Sequence, residues 1–175
     1  MRLSDFGRLA LEFEEGESKE PYKDIAGNWT IGKGHKLLPN EPHKNLKKPD
    51  IDRLFDKDIT DREGELNKGM GVLLTQHQFD AVFILCFNIG VSKFLSSSLY
   101  KFLDMGGAFT PHQKDEDILS FYQSWKKWNK ITDLDTGKKK VSKGLVNRRA
   151  REVNLFRNDL KSINDYKNFR GGLQT

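Results

Sequence analysis

Near the N-terminus, apolar residues recur at steps of three and four, the spacing of one helix face. The face consists of Leu3, Phe6, Leu9, Ala10 and Phe13. Ser4 or Asp5 is the expected cap at the start, and Gly16 supplies a C-terminal stop. The last turn then contains Glu15, where unpaired carbonyls disfavour another negative charge and bias a carboxyl toward its protonated form. A general acid that acts near neutral pH needs such a bias.

The segment after this helix has the pattern of a β-hairpin. Two short strands, Tyr22–Asp24 and Asn28–Ile31, flank a three-residue loop in which Gly27 can take the positive φ that the turn requires. Alternation along paired strands makes Asp24 and Thr30 diagonal neighbours on one face. A carboxylate and a hydroxyl so placed could hold a water molecule between them.

Downstream of the hairpin, the hydrophobic pattern predicts mainly helices. Residues 36–50 contain three prolines and are expected to form an irregular crossing segment. A helix at 51–67 has a charged outer face, whereas the run from Phe79 to Ile89 is apolar on most sides, as in a buried central helix. A polar hairpin is predicted around Thr136 and a loosely ordered tail from Ser162. Further helices are expected near 93–105, 115–127 and 145–160.

Several short motifs share the residues and the order of one enzyme family. Glu15, Asp24 and Thr30 form the pattern E-x8-D-x5-T, and the string W-T-I-G-K-G-H runs through the threonine. Further matches are Gln78-Phe79-Asp80-Ala81, Phe87-Asn88-Ile89-Gly90, Ser98-Leu99 and Gly144-Leu145-Val146-Asn147-Arg148-Arg149. Over roughly residues 6–160, the chain resembles the phage-type lysozymes, glycoside hydrolase family 24.

The resemblance implies an α+β, lysozyme-like fold with an active cleft between a small β-hairpin lobe and a larger helical lobe. We expect one domain over residues 1–175, since a chain of this length with 36% hydrophobic residues can bury one core. The hairpin lobe would span about 16–50 and the linking helix about 51–67. The helical lobe would comprise about 1–15 and 70–161.

The resemblance also implies an endolysin that hydrolyses the β-1,4 bond between N-acetylmuramic acid and N-acetylglucosamine in bacterial peptidoglycan and lyses the host cell. Glu15 would protonate the leaving oxygen. Asp24 would stay ionised and either activate water or stabilise the oxocarbenium-like transition state, and Thr30 would orient that water. Inversion of the anomer is expected if Asp24 and Thr30 hold water on the face opposite Glu15.

Four further residues are assigned to substrate binding through the resemblance. Asn88 and an arginine of the pair Arg148 and Arg149 would project from the helical lobe into the cleft. We favour Arg149, although a solvated helix face is an open alternative for one of the two arginines. Gly32, ordinarily a turn residue, belongs to the motif and is placed with the substrate-binding group.

His35 ends the threonine motif without a neighbour that gives it a catalytic role, so we interpret it as structural. In the family, the corresponding histidine pairs with an aspartate on the next helix. The string Leu54-Phe55-Asp56-Lys57-Asp58 makes Asp58 the matching partner. An ion pair between His35 and Asp58 would fasten the hairpin lobe to the linking helix.

Two other functions remain open at this stage. A lytic transglycosylase would act on the same bond without water, although it needs only one carboxyl group and the pair Asp24 and Thr30 argues against it. A non-catalytic wall-binding or phage structural module could keep the same fold. Taken singly, the acidic residues around Glu15 would form only a solvated face.

The net charge of +5 and the pI of about 9.2 are compatible with nucleic acid, an anionic membrane or an anionic wall polymer. We interpret the excess as attraction to peptidoglycan, and expect no nucleic-acid partner, because aromatic and basic residues do not alternate. No metal or nucleotide cofactor is expected, since the four histidines and the single cysteine, Cys86, lack ligand spacing and no phosphate-binding motif occurs.

The apolar segments of the chain bear on where the protein is made and how it is released. It has no signal-peptide pattern and no long apolar run, so we expect synthesis in the host cytoplasm, no stable membrane insertion, and release by a holin or with the phage. We expect a monomer. Cys86 is expected to be a buried, inert thiol.

Overall fold

The computed structural model describes residues 1–24, 27–104, 115–133 and 136–169. Helix α1 spans Asp5–Glu15. The Ser4 hydroxyl caps its first turn by accepting a hydrogen bond from the Gly7 amide, and Gly16 ends it with a φ of 65°. The predicted helix and both of its caps are therefore present, and Glu15 is its last residue.

A three-stranded antiparallel sheet follows, with strands β1 (Ser18–Lys23), β2 (Trp29–Gly32) and β3 (His35–Lys36) in that order. Tyr22 pairs with Thr30, so the predicted hairpin register is confirmed. Gly27 has a φ of 83°, as the turn was expected to require, while residues 25–26 of that loop lie outside the described residues. Strand β3 was not predicted, because two residues are too short to show an alternating pattern.

The remaining elements are mostly helical, as expected. The linking helix α2 is longer than predicted at both ends and spans Lys48–Gly69, with Pro49 in its first turn. The predicted helix at 93–105 is instead two short helices, because the chain turns at residues 96–97 and the Ser97 hydroxyl accepts a hydrogen bond from the Tyr100 amide. The others are α3 (Gln76–Ile89), α4 (Val91–Leu95), α5 (Ser98–Asp104), α6 (Asp115–Lys126) and α7 (Lys143–Phe156).

Helix α3 is the centre of the core, and every residue from Gln78 to Phe87 on it is buried. Helices α1 and α7 pack against it, and an aromatic cluster of Phe121, Trp125 and Phe156 lies between α6 and α7. Cys86 is fully buried on α3, and burial raises the pKa of its thiol well above the usual range. The burial expected from the sequence for Cys86 is therefore confirmed.

Two segments near the C-terminal end differ in their agreement with prediction. The polar hairpin is present as β4 (Lys130–Thr132) and β5 (Lys139–Val141). The prediction of a loosely ordered tail is wrong for residues 162–169. Ser162 caps a helix α8 (Ile163–Asn168), and this helix carries the fully buried Tyr166. Tyr166 packs edge-on against Phe6 and Phe13 of α1, and residues 170–175 lie outside the described part.

Candidate active site

A cleft of about 700 Å³ lies between the three-stranded sheet and the helices. Glu15 from α1 and Asp24 and Thr30 from the first hairpin all line it. Phe87 and Asn88 from the end of α3 contribute its helical side. The cleft therefore brings together two carboxyl groups and a hydroxyl from elements that are separate in the chain.

One carboxyl oxygen of Glu15 is hydrogen-bonded, and the other lies beside Gly34. The Arg148 guanidinium donates a hydrogen bond of 2.7 Å to Oε1. Oε2 lies so close to Gly34 that a Cβ there would stand 2.7 Å from it. Gly34 also has a φ of 79°, so backbone conformation and close approach both require glycine. Sequence reasoning missed Gly34, although its place two residues after Gly32 in the motif was visible.

Asp24 and Thr30 are both tied to Asn28. Asp24 accepts hydrogen bonds from the Asn28 amide at 2.8 Å and from its side-chain nitrogen at 3.0 Å. Thr30 is 3% exposed, and its hydroxyl donates to the Asn28 carbonyl at 3.2 Å. With its proton directed to the backbone, the Thr30 hydroxyl oxygen has a lone pair that can accept a hydrogen bond from a water in the cleft.

Tyr22 completes the sheet side of the cleft. It pairs with Thr30 across the hairpin and lines the cleft with Glu15 and Asp24. Burial raises the pKa of the Tyr22 hydroxyl, and the nearby carboxyl groups of Glu15 and Asp24 raise it further. Tyr22 is therefore a neutral group that can donate or accept a hydrogen bond in the cleft.

Neither arginine of the motif lies on a solvated helix face, and neither Arg148 nor Arg149 is among the residues that line the cleft. Arg149 is completely buried and does not line the cleft, because its guanidinium binds Glu152 at 2.8 Å and Asn88 at 3.0 Å behind the cleft wall. Arg148 is the arginine that reaches Glu15. Burial lowers the pKa of Arg148, but Glu15 and Glu152 more than offset this and raise it.

The contact between Arg149 and Asn88 fixes which end of the amide faces the cleft. A guanidinium has only donors, so the atom that accepts from Arg149 must be the Asn88 oxygen. Asn88 lines the cleft, and the end of its side chain that remains for substrate is the NH₂ group. The site thus presents a hydrogen-bond donor at Asn88.

Glu152 was missed by the sequence interpretation. It is completely buried and accepts hydrogen bonds from Arg148 Nε at 3.2 Å, Arg149 Nη2 at 2.8 Å and Trp125 Nε1 at 2.9 Å. Its spacing of four and three residues from the two arginines places all three side chains on neighbouring turns of α7, which was a usable signal. Glu152 is the common anchor of the arginine that holds Glu15 and the one that orients Asn88.

Gly32 does not reach the cleft. It is buried against α2, where a Cβ would lie 3.4 Å from the Ile51 side chain, and it is not among the residues that line the cleft. Its φ of 65° explains why glycine occurs there. Of the two glycines in the motif, Gly34 is the one that lines the cleft.

His35 lies between two carboxylates. Its Nδ1 is 2.9 Å from Asp58 Oδ2, and its Nε2 is 3.0 Å from Glu41 Oε2, a partner that the sequence did not reveal. The hydrogen bond to Asp58 is the main cause of a raised His35 pKa, and Glu41 raises it further against the opposing effect of burial. The histidine thus links β3 to α2 away from the reacting groups.

The second hairpin adds a further wall to the cleft. Lys130, Ile131 and Thr132 of β4 and Lys139 of β5 all line it. Among the described residues, no group of three or more histidine, cysteine, aspartate or glutamate side chains is arranged to hold a metal ion. Across the same residues, no helix combines the length and apolar character needed to cross a bilayer.

Two carboxyl groups from separate elements on one open cleft are the arrangement of a glycoside hydrolase. Comparison with known proteins gives the family: the phage lysozyme family model matches residues 12–152. The chain therefore belongs to the phage lysozyme family.

Three similar proteins illustrate the match. The endolysin of Acyrthosiphon pisum secondary endosymbiont phage 1 is 31% identical over 89% of this chain and 98% of its own length. An endolysin structure from Escherichia coli O157:H7 phage FAHEc1 is 30% identical, covers 89% of this chain and 93% of that one, and superposes with a TM-score of 0.72. The muramidase domain of SpmX from Asticaccaulis excentricus is 26% identical, covers 89% and 97% of the two chains, and has a TM-score of 0.71.

Proposed function

We propose that this chain is an endolysin that hydrolyses the β-1,4 bond between N-acetylmuramic acid and N-acetylglucosamine in bacterial peptidoglycan. The observation that carries the proposal is the convergence of Glu15, Asp24 and Thr30 on one cleft. Its similarity to proteins described as endolysins and as a muramidase domain supports the same substrate.

Glu15 is proposed as the general acid. Arg148 holds its Oε1, so Oε2 is the oxygen that would carry the proton to the leaving group. Gly34 leaves room for this oxygen, because any side chain there would occupy the same space. The acid is thus fixed in direction before substrate binds.

Asp24 and Thr30 are proposed to hold the attacking water. Asp24 would take its proton or stabilise positive charge on the sugar, while Thr30 accepts a second hydrogen bond from the same water. We expect the carboxyl groups of Glu15 and Asp24 to lie roughly 6.5–9.5 Å apart, the separation typical of inverting enzymes. The first product should then be the inverted anomer.

The central test is release of reducing ends from purified peptidoglycan by wild type and by Glu15→Gln. The variant keeps the shape and removes the proton donor, so the rate should fall by about 10² to 10⁴-fold or more. Glu20→Gln, an exposed change in the same acidic segment, is the matched control and should keep the wild-type rate. Retention of more than about a tenth of the activity by Glu15→Gln would contradict the assignment.

Two product measurements separate hydrolysis from the transglycosylase reaction. Hydrolysis adds water, so muropeptide masses should show reducing ends and no 1,6-anhydro ends. NMR of the first anomer tests the water-holding role, since retention would mean a covalent nucleophile with carboxyl groups about 5 Å apart. We further propose that the chain acts as a monomer without membrane insertion, which gel filtration and vesicle flotation would check.

A further inference from the structure

The positive charge of the chain is concentrated at the cleft. Among the described residues that line it, six are basic and only Glu15 and Asp24 are acidic, which makes a net +4 beside the +5 of the whole chain. A uniformly basic surface would have spread this excess over all faces. The cleft lining therefore carries a net positive charge that attracts anions.

Five lysines supply most of this charge, and we call them the lysine rim: Lys36, Lys93, Lys127, Lys130 and Lys139. All five are exposed, and none forms an ion pair with a carboxylate in the part of the chain that the structure describes. By contrast, Lys33 and Lys48 outside the cleft are each paired with Asp52. Unpaired ammonium groups on one cleft repel each other, a cost that a bound anion would remove.

The second hairpin directs part of this rim at the cleft. Lys139 lies directly opposite Thr132 in the β4–β5 ladder, and Lys130 is two residues from Thr132, so the three side chains share one face. Lys140 is on the other face and pairs with Asp133. Within the described residues, the hairpin thus separates one lysine that forms an ion pair from two that do not.

We propose that the lysine rim binds the free carboxylates of the stem peptides of peptidoglycan, with Lys130 and Lys139 of the second hairpin as its central pair. The proposal rests on the proposed function, which places peptidoglycan in this cleft. The glycan strand itself carries no net charge. The free carboxylates of its stem peptides are therefore the anions that peptidoglycan brings to the lysine rim. The cleft would then prefer strands with ionised stem peptides over strands whose carboxylates are amidated.

The experiment uses purified peptidoglycan that is free of phosphate polymers, either native or with its carboxylates amidated by carbodiimide and ammonia. Lys130→Gln/Lys139→Gln is compared with Lys44→Gln/Lys138→Gln, which removes the same charge from exposed lysines outside the cleft lining. Reducing-end kinetics are measured at low salt, together with co-sedimentation of a Glu15→Gln form of each protein.

On native substrate, the rim variant should have a KM about three- to tenfold above wild type with nearly unchanged kcat, as expected for loss of two exposed charge contacts. Amidation should raise the wild-type KM by a similar factor and have little further effect on the rim variant. The control variant should respond like wild type. High salt should remove the difference between wild type and the rim variant.

Equal kinetics of wild type on the two substrates, or equal losses in the rim and control variants, would overturn the proposal. If wild type released no reducing ends while sedimentation still depended on the rim and on free carboxylates, the proposed hydrolysis would fail and the rim would stand.

Discussion

Removing the negative charge of Glu152 should both destabilise the protein and weaken its active site. Glu152→Gln keeps the size and shape of a side chain that is completely buried among Arg148, Arg149 and Trp125. All three neighbours donate hydrogen bonds to it, so both carboxylate oxygens are acceptors. A glutamine offers only one acceptor oxygen, and its NH₂ group must then face at least one donor.

The size of the effect follows from burial. The variant leaves two guanidinium groups, 6% and 0% exposed, without their shared counter-charge, a situation that costs about 3–5 kcal/mol. Domains of this size are stable by only about 5–15 kcal/mol, so the loss is a large part of the total. At about 2–4 °C per kcal/mol, the melting temperature should fall by roughly 6–20 °C.

Calorimetry and urea unfolding would measure this loss, and the rate on peptidoglycan would report on the site. Activity measured well below the lowered melting temperature should also fall, because Arg148 holds Glu15 and Arg149 orients Asn88. Glu65→Gln, an exposed change on α2, should shift stability by no more than about 0.5 kcal/mol. A loss below about 1 kcal/mol in Glu152→Gln would refute the view that this carboxylate compensates both arginines.

Three further outcomes are expected. Asp58→Asn should lower the melting temperature more at pH 5 than at pH 9. The pKa of His35 is raised on folding, so the stabilisation from the ion pair is present below about pH 6.5 and is lost as the pH rises through the folded value. Equal losses at both pH values would contradict the ion pair between His35 and Asp58. Gly34→Ala should cost about 1–2 kcal/mol and reduce activity by displacing Glu15, whereas Gly64→Ala, at an open helical position, should leave activity unchanged. Asn88→Asp keeps an acceptor for Arg149 but removes the hydrogen-bond donor to the cleft. We expect kcat/KM to fall by about 2- to 12-fold in Asn88→Ala and by at least as much in Asn88→Asp. Wild-type kinetics in Asn88→Asp would show that the donor is not used.

The parts of the site that could be predicted are those encoded by local chain geometry. The helix that carries Glu15 is defined by its own caps, Ser4 and Gly16, and the hairpin that carries Asp24 is defined by its strand alternation and turn glycine. These signals lie within a few residues of the element that they specify. Local patterns therefore predicted both elements that carry the proposed catalytic carboxyl groups.

What could not be predicted depends on which surfaces meet in three dimensions. Gly32 and Gly34 both have positive φ, but only the packing of α1 against the turn places Gly34 beside Glu15. The choice between the two arginines of α7 likewise depends on which one lies nearer the end of α1. A helix pattern shows a face of charged residues but not what covers it, so buried arginines resemble solvated ones in sequence.

The adjacent residues Glu14 and Glu15 show why neighbours of the same type have different roles here. Glu14 accepts two hydrogen bonds from Arg151, at 2.7 and 2.8 Å, and one from the Tyr166 hydroxyl at 2.9 Å, and its side chain is 4% exposed. Glu15 forms an ion pair with Arg148, which lies one turn before Arg151 on α7. The side chain of Glu15 is 13% exposed and lines the cleft. Because Arg148 and Arg151 are three residues apart on one helix, the two ion pairs hold the end of α1 against α7 at two points. Glu14, covered by Tyr166 of α8, is thus the docking contact, and its position sets where the carboxyl group of Glu15 enters the cleft.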